Sequence, residues 1–282
     1  MKKILTFSAL AAILTALIIW IVWGNTVLEL TTYTIGSSRL PKSFNGYRIA
    51  HVSDLHNVEI GKGNRDLLAM LTEAQPDMVA VTGDLIDSRH TDIAVALNFI
   101  REAVKIAPVY YVTGNHEDRI ESYEELKSGM EAAGVILLED RRTEIRLNGE
   151  TITLIGIHDP NFHTTYFLGS EAAVIDANLE PLLTDNGSYT ILLSHRPELF
   201  DTYAAREIDL VLTGHAHGGQ FRLPVIGGLY APHQGLFPKY DDGLYTEGRT
   251  SMLVSRGIGN SIFPFRINNH PEVVLIELRA DS

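Results

Sequence analysis

Five short apolar runs in this chain each stop on a carboxylate, imidazole or amide side chain. HVS (51–53) ends in Asp54-Leu55-His56, MVAVTG (78–83) in Asp84, and VYYVTG (109–114) in Asn115-His116. YTILLS (189–194) ends in His195, and LVLTG (210–214) in His215-Ala216-His217. Runs of this length, rich in β-branched residues, read as strands buried on one or both faces. YRIAHVS (47–53), TITLIGI (151–157), SMLVS (251–255) and EVVLIEL (272–278) read the same way, and helical periodicity falls at 64–74, 92–105, 121–132 and 171–183. The alternation predicts a layered α/β fold, and the strand–turn–strand spacing near 141–157 and 219–278 predicts mixed sheets. In open α/β sheets ligands bind beyond the carboxyl ends of the strands. The five polar endings therefore converge on one region.

Taken singly, each ending has an ordinary explanation. An Asp after Gly is usually a turn or a helix cap, a lone buried His is usually a hydrogen-bonded core residue, and Gly-x-His-x-Gly can be only a tight turn. Five in order, with Gly ahead of three, are not explained that way, because glycine lets the backbone turn sharply enough for a side chain to face an ion. The chain has no cysteine, which removes disulfides, thiolate nucleophiles and Cys-ligated zinc. Carboxylate, amide oxygen and imidazole together suit Mn, Fe, Zn or Co. The formal net charge of −12 lacks the clustered Lys and Arg of a nucleic-acid surface, so no nucleic-acid partner is expected.

The N-terminus is a separate object. Residues 4–24 carry no charge, and about 20 apolar residues suffice to cross a bilayer as a helix. Trp20 and Trp23 close the run, where indoles favour the membrane–water interface, and Lys2 and Lys3 precede it. The expected division is a membrane anchor (or signal sequence) over 1–24, a linker over 25–45 and one domain over 46–282. By the positive-inside rule the domain is extracytoplasmic; secretion after cleavage and a cytoplasm-facing domain are the alternatives. The Gly/Pro-rich stretch 218–243 reads as an ordered loop beside the site. Its Phe221, Leu229, Tyr230, Leu236 and Phe237 are either a lipid-facing lip or ordinary core.

Asp54-Leu55-His56, Gly83-Asp84, Gly114-Asn115-His116-Glu117, His195 and Gly214-His215-Ala216-His217 resemble, in full and in order, the signature of the calcineurin-like metallophosphoesterase superfamily. Gly214–Gln220 and Ser255-Arg256-Gly257-Ile258-Gly259-Asn260-Ser261, with Pro264, Arg266 and Pro271-Glu272, are similar to its bacterial membrane-associated YkuE/YaeI-type phosphodiesterase branch. The resemblance implies a four-layer sandwich of two mixed β-sheets flanked by helices. It also implies two divalent metal ions (Mn, Zn or Fe), with Asp54, His56 and His217 on the first, Asn115, His195 and His215 on the second, and Asp84 bridging. The implied activity is a membrane-tethered hydrolase cleaving a phosphodiester or pyrophosphate bond, in a lipid-linked or small-molecule substrate, by attack of a metal-bridging hydroxide. The alternatives are a phosphomonoesterase or phosphoprotein phosphatase, and a lipid enzyme acting like UDP-2,3-diacylglucosamine pyrophosphatase; no obligate protein partner is inferred.

His116 is the candidate for protonating or stabilising the leaving oxygen; its alternative is to orient Asp54 or the water. Glu117 and Asp118 read as helix caps. Arg266 and Arg256 are candidate contacts to substrate phosphate, with a structural ion pair as the alternative. His51, His90, His158, His163, His233 and His270 read as non-ligands, although the loop with His158 and His163 could rim the crevice.

Overall fold

A computed structural model describes residues 2–163, 170–183, 187–260 and 263–281. The N-terminal run forms one helix, α1 (Lys2–Thr26), whose side chains are exposed over 6–20. The first sheet then begins with β1 (Glu29–Ser37), β2 (Arg48–Val52), β3 (Met78–Thr82), β4 (Val109–Val112) and β5 (Ile136–Leu137). The second opens with β6 (Arg141–Leu147), β7 (Glu150–Gly156), β8 (Thr190–Leu193) and β9 (Leu210–Thr213). Two small hairpins follow, β10 (Arg222–Leu223) with β11 (Gly227–Gly228), and β12 (Tyr230–Ala231) with β13 (Gly235–Leu236). The second sheet closes with β14 (Gly243–Glu247) and β15 (Thr250–Val254), and β16 (Glu272–Ala280) returns to the first.

The orders are β1-β16-β2-β3-β4-β5 and β14-β15-β9-β8-β7-β6. Both sheets are mixed. β2 to β5 and β7 to β9 with β15 run parallel, whereas β16 opposes β2, β6 opposes β7 and β14 opposes β15. Helices α2 (Arg65–Ala74), α3 (Ile93–Ala103) and α4 (Tyr123–Ala133) cover the first sheet, and α5 (Glu171–Leu179) and α6 (Phe200–Ala205) the second.

The unbroken apolar runs reflect this layering. In β3, Met78 and Ala80 face the core between the sheets, while Val79 and Val81 pack under the helices. In β9, Leu210 and Leu212 face inward and Val211 lies under α5 and α6. A strand covered on both faces loses the polar alternation of a half-exposed one.

One expectation needs correction. The stretch 25–45 is not only a linker, because it holds the nine-residue β1. β1 pairs in parallel with β16 from Glu29↔Glu272 to Ser37↔Ala280. Its partner lies at the other end of the sequence, and its residues alternate between partly buried and exposed. Nothing local marks it as a core element.

Because β16 opposes β2, both β1 and β16 begin at the rim where β2, β3 and β4 end. The foot of α1 is fixed there. Asn25 Nδ2 donates to Arg266 O (3.0 Å), Arg266 N donates to Asn25 Oδ1 (2.7 Å), and Trp23 meets His270 edge-on at 4.6 Å.

Candidate active site

The ligand-type residues sit where the sequence places them, just past the carboxyl ends of β2, β3, β4, β8 and β9. Five of the seven hold left-handed backbones: Asp54 (φ 53°), His56 (46°), Asp84 (51°), His215 (65°) and His217 (49°). Such conformations cost energy outside glycine and persist only where the surroundings enforce them. The enforcement is visible. Asp54 N donates to Gly83 O, His56 N to Asp84 O and Gly259 N to Asp54 O. A Cβ on Gly83, itself at φ 86°, would lie 2.3 Å from Gly114 N, and one on Gly214 would lie 1.9 Å from Ser53 Oγ.

Glu117 completes the lock, which corrects its reading as a cap. It is fully buried and opens only a short 3₁₀ turn, Glu117–Arg119. Its carboxylate accepts from Asp84 N (2.9 Å), Leu85 N (2.8 Å) and Gly114 N (2.8 Å), tying the loops after β3 and β4 together. Asp118 is exposed.

Potential ligand atoms lie within 4.8 Å of one another in two clusters made wholly of the expected ligands, Asp54 with His56 and His217, and Asp84 with His195 and His215; His56 and Asp84 also group with His116, and His215 with Glu198 and His233. The first two clusters touch. His56 Nε2 lies 3.8 Å from Asp54 Oδ1 and 3.6 Å from Asp84 Oδ2, and His195 Nε2 lies 3.3 Å from the same Asp84 oxygen. His217 Nε2 is 3.4 Å from Asp54 Oδ1.

The donor set fits divalent cations. His195 Nδ1 lies 2.8 Å from Thr82 O, so it carries the proton and leaves the Nε2 lone pair facing the cluster. There it confronts His215 Nδ1 at 3.0 Å, and His56 Nε2 confronts His217 Nε2 at 3.2 Å. Opposed imidazole nitrogens beside carboxylates need a proton or a cation between them. Asn115 Oδ1 is buried without a hydrogen-bond partner in the protein, which is costly for a polar atom that nothing coordinates. Without a cation a proton takes that place: burial opposes it, yet the Asp84 carboxylate pushes His195 up to about 10 and the Asp54 carboxylate raises His56. Burial opposes ionisation of Asp84, yet His195, with His116 and His56, holds its carboxyl well below the usual range. Burial also keeps His217 neutral, down to about 3, and pushes His215 well below its ordinary value.

His116 stands beside these groups. Its backbone N–H donates to Asp84 Oδ1 (2.8 Å), and its Nδ1 accepts from Ser88 N (2.9 Å). The neutral ring therefore carries its proton on Nε2. A cavity of about 250 Å³ opens here, lined by Asp84, Asn115, His116, His215 and His217, with Arg89, Arg119, Pro232 and His233.

Arg256 and Arg266 do not line that cavity. Arg256 is ion-paired with Glu29 (2.8 Å) and Glu272 (3.0 Å). Arg266 is buried, donating to Arg256 O and Gly259 O, with Nη2 3.4 Å from His217 Nδ1. The arginines at the mouth are Arg89 and Arg119, which lie on no motif. His233 also goes beyond its reading as a bystander: its Nδ1 lies 2.9 Å from His215 Nε2 and 2.8 Å from Arg196 Nη1. Arg196 is itself buried and bound to Asp159 and Glu198. The only signal for either was adjacency, Arg196 following His195 and His233 lying in the Gly/Pro-rich stretch.

A two-sheet sandwich with this crossing of Asp, Asn and His at its strand ends is the architecture of a metal-dependent phosphoesterase. The calcineurin-like phosphoesterase profile matches residues 47–219, and the chain belongs to that family. It is a phosphoric ester hydrolase. It is 28% identical over 266 residues to the metallophosphoesterase YkuE of Bacillus subtilis strain 168, covering 91% of this chain and 87% of that protein. It is 26% identical over 239 residues to the phosphodiesterase YaeI of Escherichia coli K12, covering 82% of each. Among solved structures, TT1561 of Thermus thermophilus superposes with a TM-score of 0.52 at 14% identity, over 75% of this chain and 90% of that one. That likeness concerns the fold alone.

Proposed function

We propose that the protein hydrolyses a phosphodiester or pyrophosphate bond at a membrane surface, using two divalent cations. Asp54, His56 and His217 would hold the first, Asn115, His195 and His215 the second, and Asp84 both. When bound, such a pair supplies Lewis acidity to phosphoryl oxygens and lowers the pKa of water. The observation that carries the reading is the pairing of two clusters through one Asp84 oxygen, with Asn115 Oδ1 left over. The protein's own groups do the rest. His116 Nε2–H, which lines the same cavity, would donate to the leaving oxygen. Arg119 stands at the cavity mouth with Arg89, whose guanidinium is held by Asp87, and suits a substrate with a second anionic or polar arm. The E. coli relative is named as a phosphodiesterase, which favours a diester over a monoester.

The tether is part of the proposal. Residues 6–26 are apolar enough to span a bilayer, and α1 meets the domain at the rim that carries the site. The substrate is then one presented at the bilayer surface, such as a lipid-linked phosphoester, on the extracytoplasmic side set by Lys2 and Lys3.

The test is a rate comparison on the full chain in detergent, with bis-p-nitrophenyl phosphate against p-nitrophenyl phosphate, after chelation and after resupply of Mn, Zn or Fe. The expected result is metal-restored activity, faster on the diester, with two metals bound per chain. Full activity in the chelated protein would refute the two-metal assignment, and preference for the monoester would refute the diester reading.

A further inference from the structure

The two small hairpins β10–β11 and β12–β13 carry a surface unlike the rest of the domain. From Leu223 to Pro238 there is no charged residue. Val225 is fully exposed, Ile226, Leu236 and Phe237 are 62%, 67% and 59% exposed, and Phe263 stands beside them at 41%. Val225 and Phe237 also hold left-handed backbones, φ 72° and 54°, an unfavourable state for a β-branched or bulky side chain. An apolar groove of about 330 Å³, lined by Phe221, Leu229, Tyr230, Leu236 and Phe263, runs into this surface. Contiguous exposed apolar patches mark interaction surfaces.

What covers it follows from its neighbours. Phe221 bridges to Ile267, and Arg222 N donates to Ile267 O. Residues 266–270 are the segment on which Trp20, Trp23 and Asn25 of α1 rest. The apolar hairpins are thus one ladder away from the foot of the apolar helix. The flanking charges are neutralised away from the patch, Arg222 on Asp241 and Asp242 and Lys239 towards Asp201.

We propose that Val225, Ile226, Leu236, Phe237 and Phe263 form a second membrane contact, which inserts into the interfacial layer of the same bilayer that α1 crosses. The inference rests on the tether reading and adds to it. A single helix would let the domain swivel, whereas a helix and a lip fix its face to the bilayer. The lip is also joined to the site. Asn269 Nδ2 donates to His217 O (2.7 Å), and Gln220 Nε2 donates to Phe263 O (3.1 Å) and Phe265 O (2.8 Å). Seating the lip therefore places the His217 loop against the headgroup layer, where a phosphoester of a lipid lies.

The absence of cysteine makes the test clean. Val225→Cys, Ile226→Cys and Phe237→Cys, each labelled with an environment-sensitive fluorophore, are reconstituted as full chains in phosphatidylcholine–phosphatidylglycerol vesicles. Ala16→Cys in α1 and Asn148→Cys, an exposed turn residue between β6 and β7, serve as references, and hydrolysis of bis-p-nitrophenyl phosphate confirms folding. The expected result is blue-shifted emission quenched by nitroxide lipids at all three lip positions, as at Ala16, and quenching only by aqueous iodide at Asn148. Lip probes that behave like Asn148 while Ala16 is lipid-quenched would overturn the lip and leave the tether standing. Lip probes shielded from both quenchers would overturn it in favour of a protein partner or second copy. Aqueous quenching at Ala16 as well would remove the tether and the lip together.

Discussion

The two halves of the site are built alike in front and differently behind. Each presents two imidazoles and a carboxylate, and each has a buried arginine at its back, Arg266 beside His217 and Arg196 beside His215. Arg196 is surrounded by carboxylates: a two-pronged pair with Asp159, with Glu198 at 3.3 Å and Glu171 at 3.8 Å. These neighbours outweigh burial and raise its pKa further. Arg266 is bound to carbonyl oxygens, and burial lowers it to about 10, with Asp54 its largest and Glu272 a smaller counter-charge. The contrast teaches that the second half carries its own counter-charges behind the site, whereas in the first the Asp54 carboxylate, facing the cluster, is the largest balance to a buried cation.

The most severe way to break this comparison is to remove what the halves share. Asp84→Asn should lower kcat by about 10²–10³, the scale of deleting a principal charge-stabilising group, and reduce bound metal measured by plasma emission. Retained activity with full metal content would end the shared-ligand picture. Next, Arg196→Met should destabilise the metal-free chain by about 3–5 kcal/mol, because Asp159 is left buried and unpaired. Arg266→Met strands only carbonyl groups and should cost about 1–3 kcal/mol. Urea unfolding of both variants checks the order, and equal losses would erase the asymmetry.

His116→Gln should cost about 10²–10⁴ in rate without changing metal content, with the deficit shrinking on a substrate whose leaving group needs no proton. A uniform deficit would return His116 to an orienting role. The smallest effect is expected at the back of the second half. His233→Phe removes the acceptor for His215 and should weaken metal binding or activity by about 10–100-fold, read by chelator titration. An unchanged titration would make His233 a mere wall of the cavity.

Much of this site is visible in the linear chain because parallel strands are local objects. A run such as MVAVTG forms, is buried on both faces and ends beside its polar residue Asp84, so order along the chain maps onto order around the rim. What is hidden is whatever depends on an approach from elsewhere. Glu117 looks like a cap because acidic residues favour helix N-termini, and only the meeting of two loops turns it inward. Arg256 and Arg266 sit in a motif, yet their partners Glu29, Glu272 and Gly259 occupy them. Arg89 and Arg119 reach the mouth from loops with no pattern. β1 is invisible for the same reason, its partner being at the opposite end of the sequence.

That last pairing bears on how the protein is made. β16 lies between β1 and β2, so the nascent chain carries an open slot in its first sheet until residues 272–280 arrive. Until then two unpaired strand edges are presented side by side, a template for pairing with other chains. Assembly of the first sheet therefore waits for residues 272–280, and any truncation or stalled chain that lacks them should be the form most prone to aggregation and to quality-control proteolysis.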